Sequence, residues 1–368
     1  MQTGLRCMLM RGGTSKGAYF LADDLPAEPA ERDRTLLAAL GSPDPRQIDG
    51  VGGAHPLTSK VAIVSRATEP GVDVDFLFAQ VAVDKPLVDT TPNCGNILAG
   101  IGPFAIERGL VAPTGPVTKV TVRTVNTGTI AELMIETPDG RVNYEGNAHI
   151  DGVPGTAAPI PINFLDAAGS VCGSLLPTGR LVDEIDGVKV TLIDNGMPVV
   201  VLAAAALGKT GYETPKELME DMVFRKRLEA IRLKAGPLMN LGDVTAQVVP
   251  KMALVAKPAA GGHVSTRSFI PRECHAAIGV FAAVSVATAC VLPGSPAHEC
   301  ATLPPGRMKT LSVEHPSGEF TVRLEVGGSE AAPVVERAGL LRTARLLFDG
   351  TLYVPQAAAR ASRHSEAA

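Results

Sequence analysis

The stretch Asn93-Cys94-Gly95-Asn96 offers a thiol where a thiol is easiest to ionise. Residues 97–106 carry no charge, so the pattern predicts a polar loop that delivers Cys94 to the first turn of a buried helix. Unpaired backbone N–H groups and the positive end of the helix dipole favour a thiolate there. The same amides, those of Gly95 and Asn96, can hold a carboxylate. A free cysteine more commonly packs as a small hydrophobe. Asn93, Gly95 and Asn96 argue against that for Cys94, since they supply turn geometry and amide groups, not packing volume.

Cys274-His275 repeats the arrangement, ahead of an uncharged run over 276–292. That run is too short and too interrupted by Gly279 for a membrane span and fits a helix wrapped by sheet. Two thiols or amines facing one another can move a proton without a cofactor. One takes a proton from a carbon beside a carbonyl or carboxylate, and the other returns it at a different face or position. The product class is an isomer, an epimer or a tautomer. A hydrolase reading is weaker because no Gly-x-Ser-x-Gly motif is present. A dinucleotide reading is weaker still, because no Gly-x-Gly-x-x-Gly follows the first strand.

Other polar groups cluster in loops. Arg11-Gly12-Gly13-Thr14-Ser15-Lys16-Gly17 fails as a phosphate loop, since Ala18 stands where Lys-Ser/Thr would be needed. Arg11, Thr14, Ser15 and the loop amides can still hold a carboxylate. Lys60 stands where a turn-rich loop enters the apolar strand 61–65, a position usually filled by a solvated strand end. Asn195 lies in the turn 194–198, and Arg267 precedes the second cysteine. His149 and Asp151 read as loop residues.

Positioning these groups requires strands, and strand-like alternation recurs over 5–10, 72–83, 118–126, 130–136, 188–193, 199–202, 248–257, 309–313, 319–326 and 344–354. Helical periodicity covers 28–40 and 215–234, the latter with Thr214 as N-cap and Gly236 as a stop. Each half therefore offers strands, a cysteine loop and a buried helix. That is the pattern of two similar domains facing each other across a cleft, with residues 177–186 as the passage between them.

The whole-chain numbers agree. At 368 residues the chain suits two domains. With 45% hydrophobic and 20% charged residues and a net charge of −4, it has no basic run, so neither nucleic acid nor membrane is expected as a partner. The six cysteines show no CxxC pair or metal-finger spacing, so disulfides and a metal are not expected and the thiols read as reduced. The first residues lack a signal peptide's apolar region, which predicts a cytoplasmic protein.

Several of these segments resemble the 2-methylaconitate isomerase family: residues 8–17, Leu57-Thr58-Ser59-Lys60, Asn93-Cys94-Gly95-Asn96-Ile97 and the closing stretch 343–355. Residues 41–50, Phe78-Ala79-Gln80-Val81, 102–109 and 267–271 look most like a branch acting on a keto tricarboxylate. The resemblance implies a diaminopimelate-epimerase-like α/β (α+β) fold, with two similar domains, each a curled, mainly antiparallel sheet around a central helix. It places the domains at about 1–185 and 186–340, with the last strand, about 340–368, returning to the first. It implies that Cys94 pairs with Lys60 as acid and base, which lifts Lys60 above its solvated-end reading. Arg11, Thr14, Ser15, Asn93, Gly95, Asn96, Asn195 and Arg267 then bind substrate, with Cys274 and His275 competing for a share of the proton transfer. A small tricarboxylate substrate and no cofactor are expected, and a homodimer stays open. Isomerisation of aconitate, methylaconitate or methylitaconate is the nearest rival, and a non-catalytic polycarboxylate binder is the rival of another class.

Overall fold

A computed structural model describes residues 1–165, 167–329 and 332–356. They form two compact units, one of Met1–Ile162 with the segment from Arg342 onward, the other of Asn163–Leu341.

The first unit runs β1 (Gln2–Gly12), β2 (Ser15–Leu21), α1 (Pro29–Leu40), β3 (Lys60–Arg66), β4 (Val74–Val81), β5 (Val88–Asp89), α2 (Gly95–Leu98), α3 (Ile101–Glu107), β6 (Val117–Thr124) and β7 (Ile130–Glu136). After β8 (Ile160–Phe164) and β9 (Asp183–Ile185), the second runs β10 (Val188–Asp194), β11 (Pro198–Ala203), α4 (Pro215–Glu220), α5 (Met222–Leu238), β12 (Lys251–Ala256), β13 (Val264–Phe269), α6 (Val280–Cys290), α7 (Pro296–Cys300), β14 (Met308–His315), β15 (Gly318–Ser329) and β16 (Ala332–Arg342). β17 (Ala344–Pro355) then pairs antiparallel with β1 along its whole length, from Gln2 opposite Pro355 to Gly12 opposite Ala344. No helix among the described residues is long and apolar enough to cross a membrane.

The two units share one wiring. In the first, β1–β2 is antiparallel, β2–β3 parallel, β3–β4 antiparallel, β4–β6 parallel and β6–β7 antiparallel. In the second, β10–β11, β11–β12, β12–β13, β13–β14 and β14–β15 alternate in the same order. A parallel pair needs a crossover, and helices supply it at matching places. α1 and α4–α5 make the first crossover, while α2–α3 and α6–α7 make the second.

Each sheet is covered on both faces, which is why its strands read as nearly continuous apolar runs. On one face Leu36, Ala39 and Leu40 of α1 pack with Val61 and Ile63 of β3 and with Ala79 and Val81 of β4. In the second unit Phe224, Leu228 and Ile231 of α5 pack in the same way with Met252 and Leu254 of β12 and with Phe269 of β13. The second crossover lies on the other face, where every residue from Ile101 to Ile106 and from Ala282 to Cys290 is buried.

Three expectations are adjusted. The helix behind Cys94 is broken into α2 and α3, because Pro103 in an unbroken helix would clash with the carbonyl of Ala99. The helix over 215–234 is likewise two helices, since the Asp221 carboxylate accepts from Val223 and Phe224 and starts a new one. Residues 163–185 belong to the second unit, where the buried Asp194 carboxylate takes both the Val171 and the Cys172 amides at 2.7 Å. Giving up those donors would leave a desolvated charge unpaired.

Gly17 is a point of close approach in the first sheet. A Cβ there would lie 2.5 Å from the Lys60 carbonyl oxygen and 3.3 Å from Ile97 Cδ1. Gly17→Ala is expected to lower stability by about 1–3 kcal/mol, read as a lower urea midpoint.

Candidate active site

Lys60 opens β3 and sits in register between Gly17 of β2 and Gln80 of β4. Val61 and Ile63 point into the α1 core, so alternation sends Lys60 to the opposite face, the one that α2 and α3 contact. Its ammonium donates to Gln80 Oε1 at 2.7 Å and lies 5.1 Å from the centre of the Phe78 ring. Gln80 in turn donates through Nε2 to the carbonyls of Pro56 and Ser59, both at 3.1 Å. Those two acceptors force the amide oxygen toward the lysine. Lys60 is thus buried on a neutral partner and an aromatic face, with no carboxylate bonded to it among the described residues.

Cys94 is the N-cap residue of α2, in extended backbone, with its amide donating to Asn93 Oδ1 at 2.7 Å. Its side chain is half-buried and makes no capping bond. The following amides of Gly95 and Asn96 lie in the first turn and have no acceptor within the helix. Because α2 is a single turn, the dipole expected from a long helix shrinks, and these amides themselves carry what positive potential remains.

The loop between β1 and β2 closes on this turn. Asn96 Nδ2 donates to Thr14 Oγ1 at 3.0 Å. A Cβ on Gly12 would lie 2.5 Å from the Asn96 carbonyl oxygen, and one on Gly13, whose φ is +50°, would collide with the Asn96 side chain. The paired glycines are therefore the condition for bringing Thr14 to α2. Tyr19, fully buried on β2, donates to the Ile97 carbonyl at 2.8 Å and fixes α2 from beneath. Burial holds its hydroxyl well above the ordinary tyrosine range, and Cys94 adds to this against the pull of Arg11. Tyr19 therefore stays a donor.

Arg11 donates to the Gly13 carbonyl at 2.9 Å and to the Thr343 carbonyl and hydroxyl at 3.1 and 2.9 Å, tying the loop to the start of β17. Burial and the charge of Arg345 both push its guanidinium below the ordinary value. Ser15 is buried, and its hydroxyl has no partner among the described residues. The first unit thus gathers Lys60, Cys94, Asn93, Gly95, Asn96, Arg11, Thr14 and Ser15.

Asn195, Arg267, Cys274 and His275 belong to the second unit. Asn195 is buried, its amide nitrogen donating to Thr288 Oγ1 at 2.9 Å. Arg267 donates to the Glu213 carbonyl at 2.5 Å and shares a strand face with Phe269, the face covered by α5. Cys274 packs against that same core, and its amide donates to Met219 Sδ at 3.3 Å. The N-cap of α6 is Gly279, not Cys274, so the second cysteine does not sit at the helix start as the first does. His275 is exposed, its amide donates to the Ser268 carbonyl at 2.8 Å, and its own carbonyl accepts from Cys274 Sγ at 3.8 Å.

Burial pushes the Cys274 thiol up to about 11, although Arg267 pulls the other way. Its alkylation by iodoacetamide, followed by mass spectrometry of the Cys274 peptide, is expected to be slow at neutral pH. The rate should rise about tenfold per pH unit toward 11.

Sequence reasoning missed Gln80, Phe78 and Tyr19 as site residues. Gln80 was detectable as the polar residue within the apolar run 76–81, whereas nothing in the pattern marked Tyr19.

A family profile described as "PrpF protein" matches residues 2–355. The chain is 61% identical over 348 residues to a protein of Novosphingobium sp. (strain KA1) named "(4E)-oxalomesaconate Delta-isomerase", covering 95% of this chain and 97% of that one. It is 58% identical over 353 residues to "4-oxalomesaconate tautomerase" of Pseudomonas putida (strain KT2440), covering 96% and 97%. A crystal structure of methylitaconate-delta-isomerase superposes with a TM-score of 0.86 at 34% identity, over 99% of both chains. The fold is thus the epimerase-like α/β arrangement that this isomerase shares.

Proposed function

The chain belongs to the PrpF family and is an isomerase, and on that premise we propose that it is a cofactor-independent 4-oxalomesaconate tautomerase of aromatic-acid breakdown in the cytoplasm. The observation that carries this is identity near 60% over almost the whole chain to two relatives whose printed names share one substrate skeleton.

The name denotes a tricarboxylate in which a ketone adjoins a methylene that is also allylic to a carbon–carbon double bond. Removing a methylene proton yields an extended enolate, and the site of reprotonation decides the product. Return to oxygen gives the enol, and return to the distal carbon moves the double bond. Both relatives' names describe outcomes of that one first step.

In this reading Cys94 and Lys60 are the acid/base pair, and general acid–base help of this kind contributes roughly 10²–10⁴-fold. The geometry supports it in two ways. Lys60 is held by an uncharged partner, with no carboxylate bonded to it among the described residues. The first-turn amides of Gly95 and Asn96, with Thr14 beside them, offer donors to a carboxylate or a developing oxyanion.

The purified protein should convert keto 4-oxalomesaconate to a product with rising ultraviolet absorbance, and in deuterium oxide the recovered acid should carry deuterium at the methylene carbon. Proton NMR of the product separates enol from shifted double bond. Faster turnover of methylitaconate or methylaconitate, or binding with no deuterium incorporation, would overturn the reading.

A further inference from the structure

The loop that enters β3 is held by a residue to which the proposed reaction gives no role. Gln47 lies between α1 and β3 and is 1% exposed. Its φ of +46° puts it in the left-handed region, which glycine adopts freely and glutamine does not. The chain is closed tightly around it, since a Cβ on Gly52 would collide with the Gln47 amide and one on Gly41 would lie 2.9 Å from the Gln47 carbonyl oxygen. Strained backbone of this kind persists only where its surroundings over-determine it.

The side-chain amide supplies that constraint in three directions. The Ala54 amide can only donate, and it donates to Gln47 Oε1 at 2.8 Å, which fixes the end of the side chain that carries the oxygen. The same oxygen accepts from Ser59 Oγ at 2.7 Å, and Gln47 Nε2 donates to Ser42 Oγ at 2.9 Å. Ser59 is fully buried and stands directly before Lys60. Gln47 therefore clamps both ends of the segment 54–59. That segment carries the two carbonyls, of Pro56 and Ser59, that turn the Gln80 amide oxygen toward the Lys60 ammonium. All of these residues belong to the first unit.

We infer that Gln47 is a positioning residue for Lys60, acting through Ser59 and Gln80. The part played by Lys60 in turnover rests on the proposed function, whereas the tether from Gln47 to Lys60 does not. A residue that only folded the loop would cost stability when lost and leave Lys60 unchanged. A tether must be read at Lys60 itself.

Gln47→Met and Ser59→Ala each cut the clamp. Ser59→Ala removes a single hydroxyl and carries the test alone should Gln47→Met not fold. Labelling of the native protein with trace acetic anhydride, followed by mass spectrometry, reports on Lys60 without any substrate. Lys251, buried at the start of β12 in the second unit, is the internal reference. Relative to Lys251, the Lys60 labelling rate should rise about fivefold or more in both variants, as local freedom increases. With 4-oxalomesaconate, kcat should fall about 5- to 50-fold while KM stays within about threefold, because a misplaced reacting group costs turnover more than binding. A weakened Gln80 acceptor disfavours the ammonium, so the limb of the pH profile of kcat/KM that Lys60 sets should move to lower pH. Combined with Gln80→Leu, neither change should add its full loss, since all three act through one amide. Lys60 labelling or kcat within about twofold of the parent, or losses fully additive with that of Gln80→Leu, would overturn the inference. So would a lowered urea midpoint with an unmoved pH profile. If the parent does not turn over 4-oxalomesaconate but Lys60 labelling still rises in the variants, the proposed function falls and the tether stands.

Discussion

Lys60→Met is expected to reduce kcat for 4-oxalomesaconate by about 10²- to 10⁴-fold, and Cys94→Ala by a comparable factor, with KM changed far less. Methionine keeps the length of the lysine side chain and its contact with Phe78, so the loss isolates the amine. Because the two groups act on one proton pathway, the double variant should be little worse than the poorer single one. Deuterium exchange into unreacted substrate assigns the roles. The variant that still washes deuterium into the methylene has kept the base and lost the acid that completes the isomerisation. Either single variant retaining turnover within threefold of the parent would remove that residue from the mechanism.

Gln80 should matter nearly as much, although it reaches no substrate in this reading. Its amide oxygen points at Lys60 because two carbonyls, of Pro56 and Ser59, occupy the nitrogen side. Gln80→Leu frees the lysine and is expected to cost about 10- to 100-fold in kcat, since small misplacements of a reacting group are expensive. Gln80→Glu tests the electrostatics. A carboxylate beside Lys60 favours the ammonium, so the limb of the pH profile of kcat/KM that Lys60 sets should move upward: the acid limb if Lys60 is the base, the alkaline limb if it is the acid. The same change turns a donor into an acceptor facing two carbonyls, so the urea midpoint should also fall. An unmoved pH profile with a lowered midpoint would make Gln80 purely structural.

Much of the architecture was legible because it depends on local pattern. The Cys94 setting, the strand over 130–136, the long closing strand and the two uncharged runs follow from residue type and spacing, and the structure has Ile130–Glu136, Ala344–Pro355 and two buried crossovers in those places. The position of Lys60 at a strand start was also readable, and the resemblance had already lifted it above the solvated-end reading. What the sequence could not show was its burial, which depends on Gly17, Gln80 and Phe78, distant in sequence.

Composition and periodicity by themselves determined that this chain folds as two repeats, each with an apolar helix behind a polar loop, since hydrophobic spacing is a property of neighbouring residues. Only the tertiary structure decided which face of each strand a polar residue occupies relative to the two cores. That choice put Lys60 and Lys251 on the crossover face and Arg267 with Cys274 on the other. The physical reason is the period of two along a strand. A shift of one residue in pairing register reverses every side chain, and register is set by strands and helices far away in the sequence.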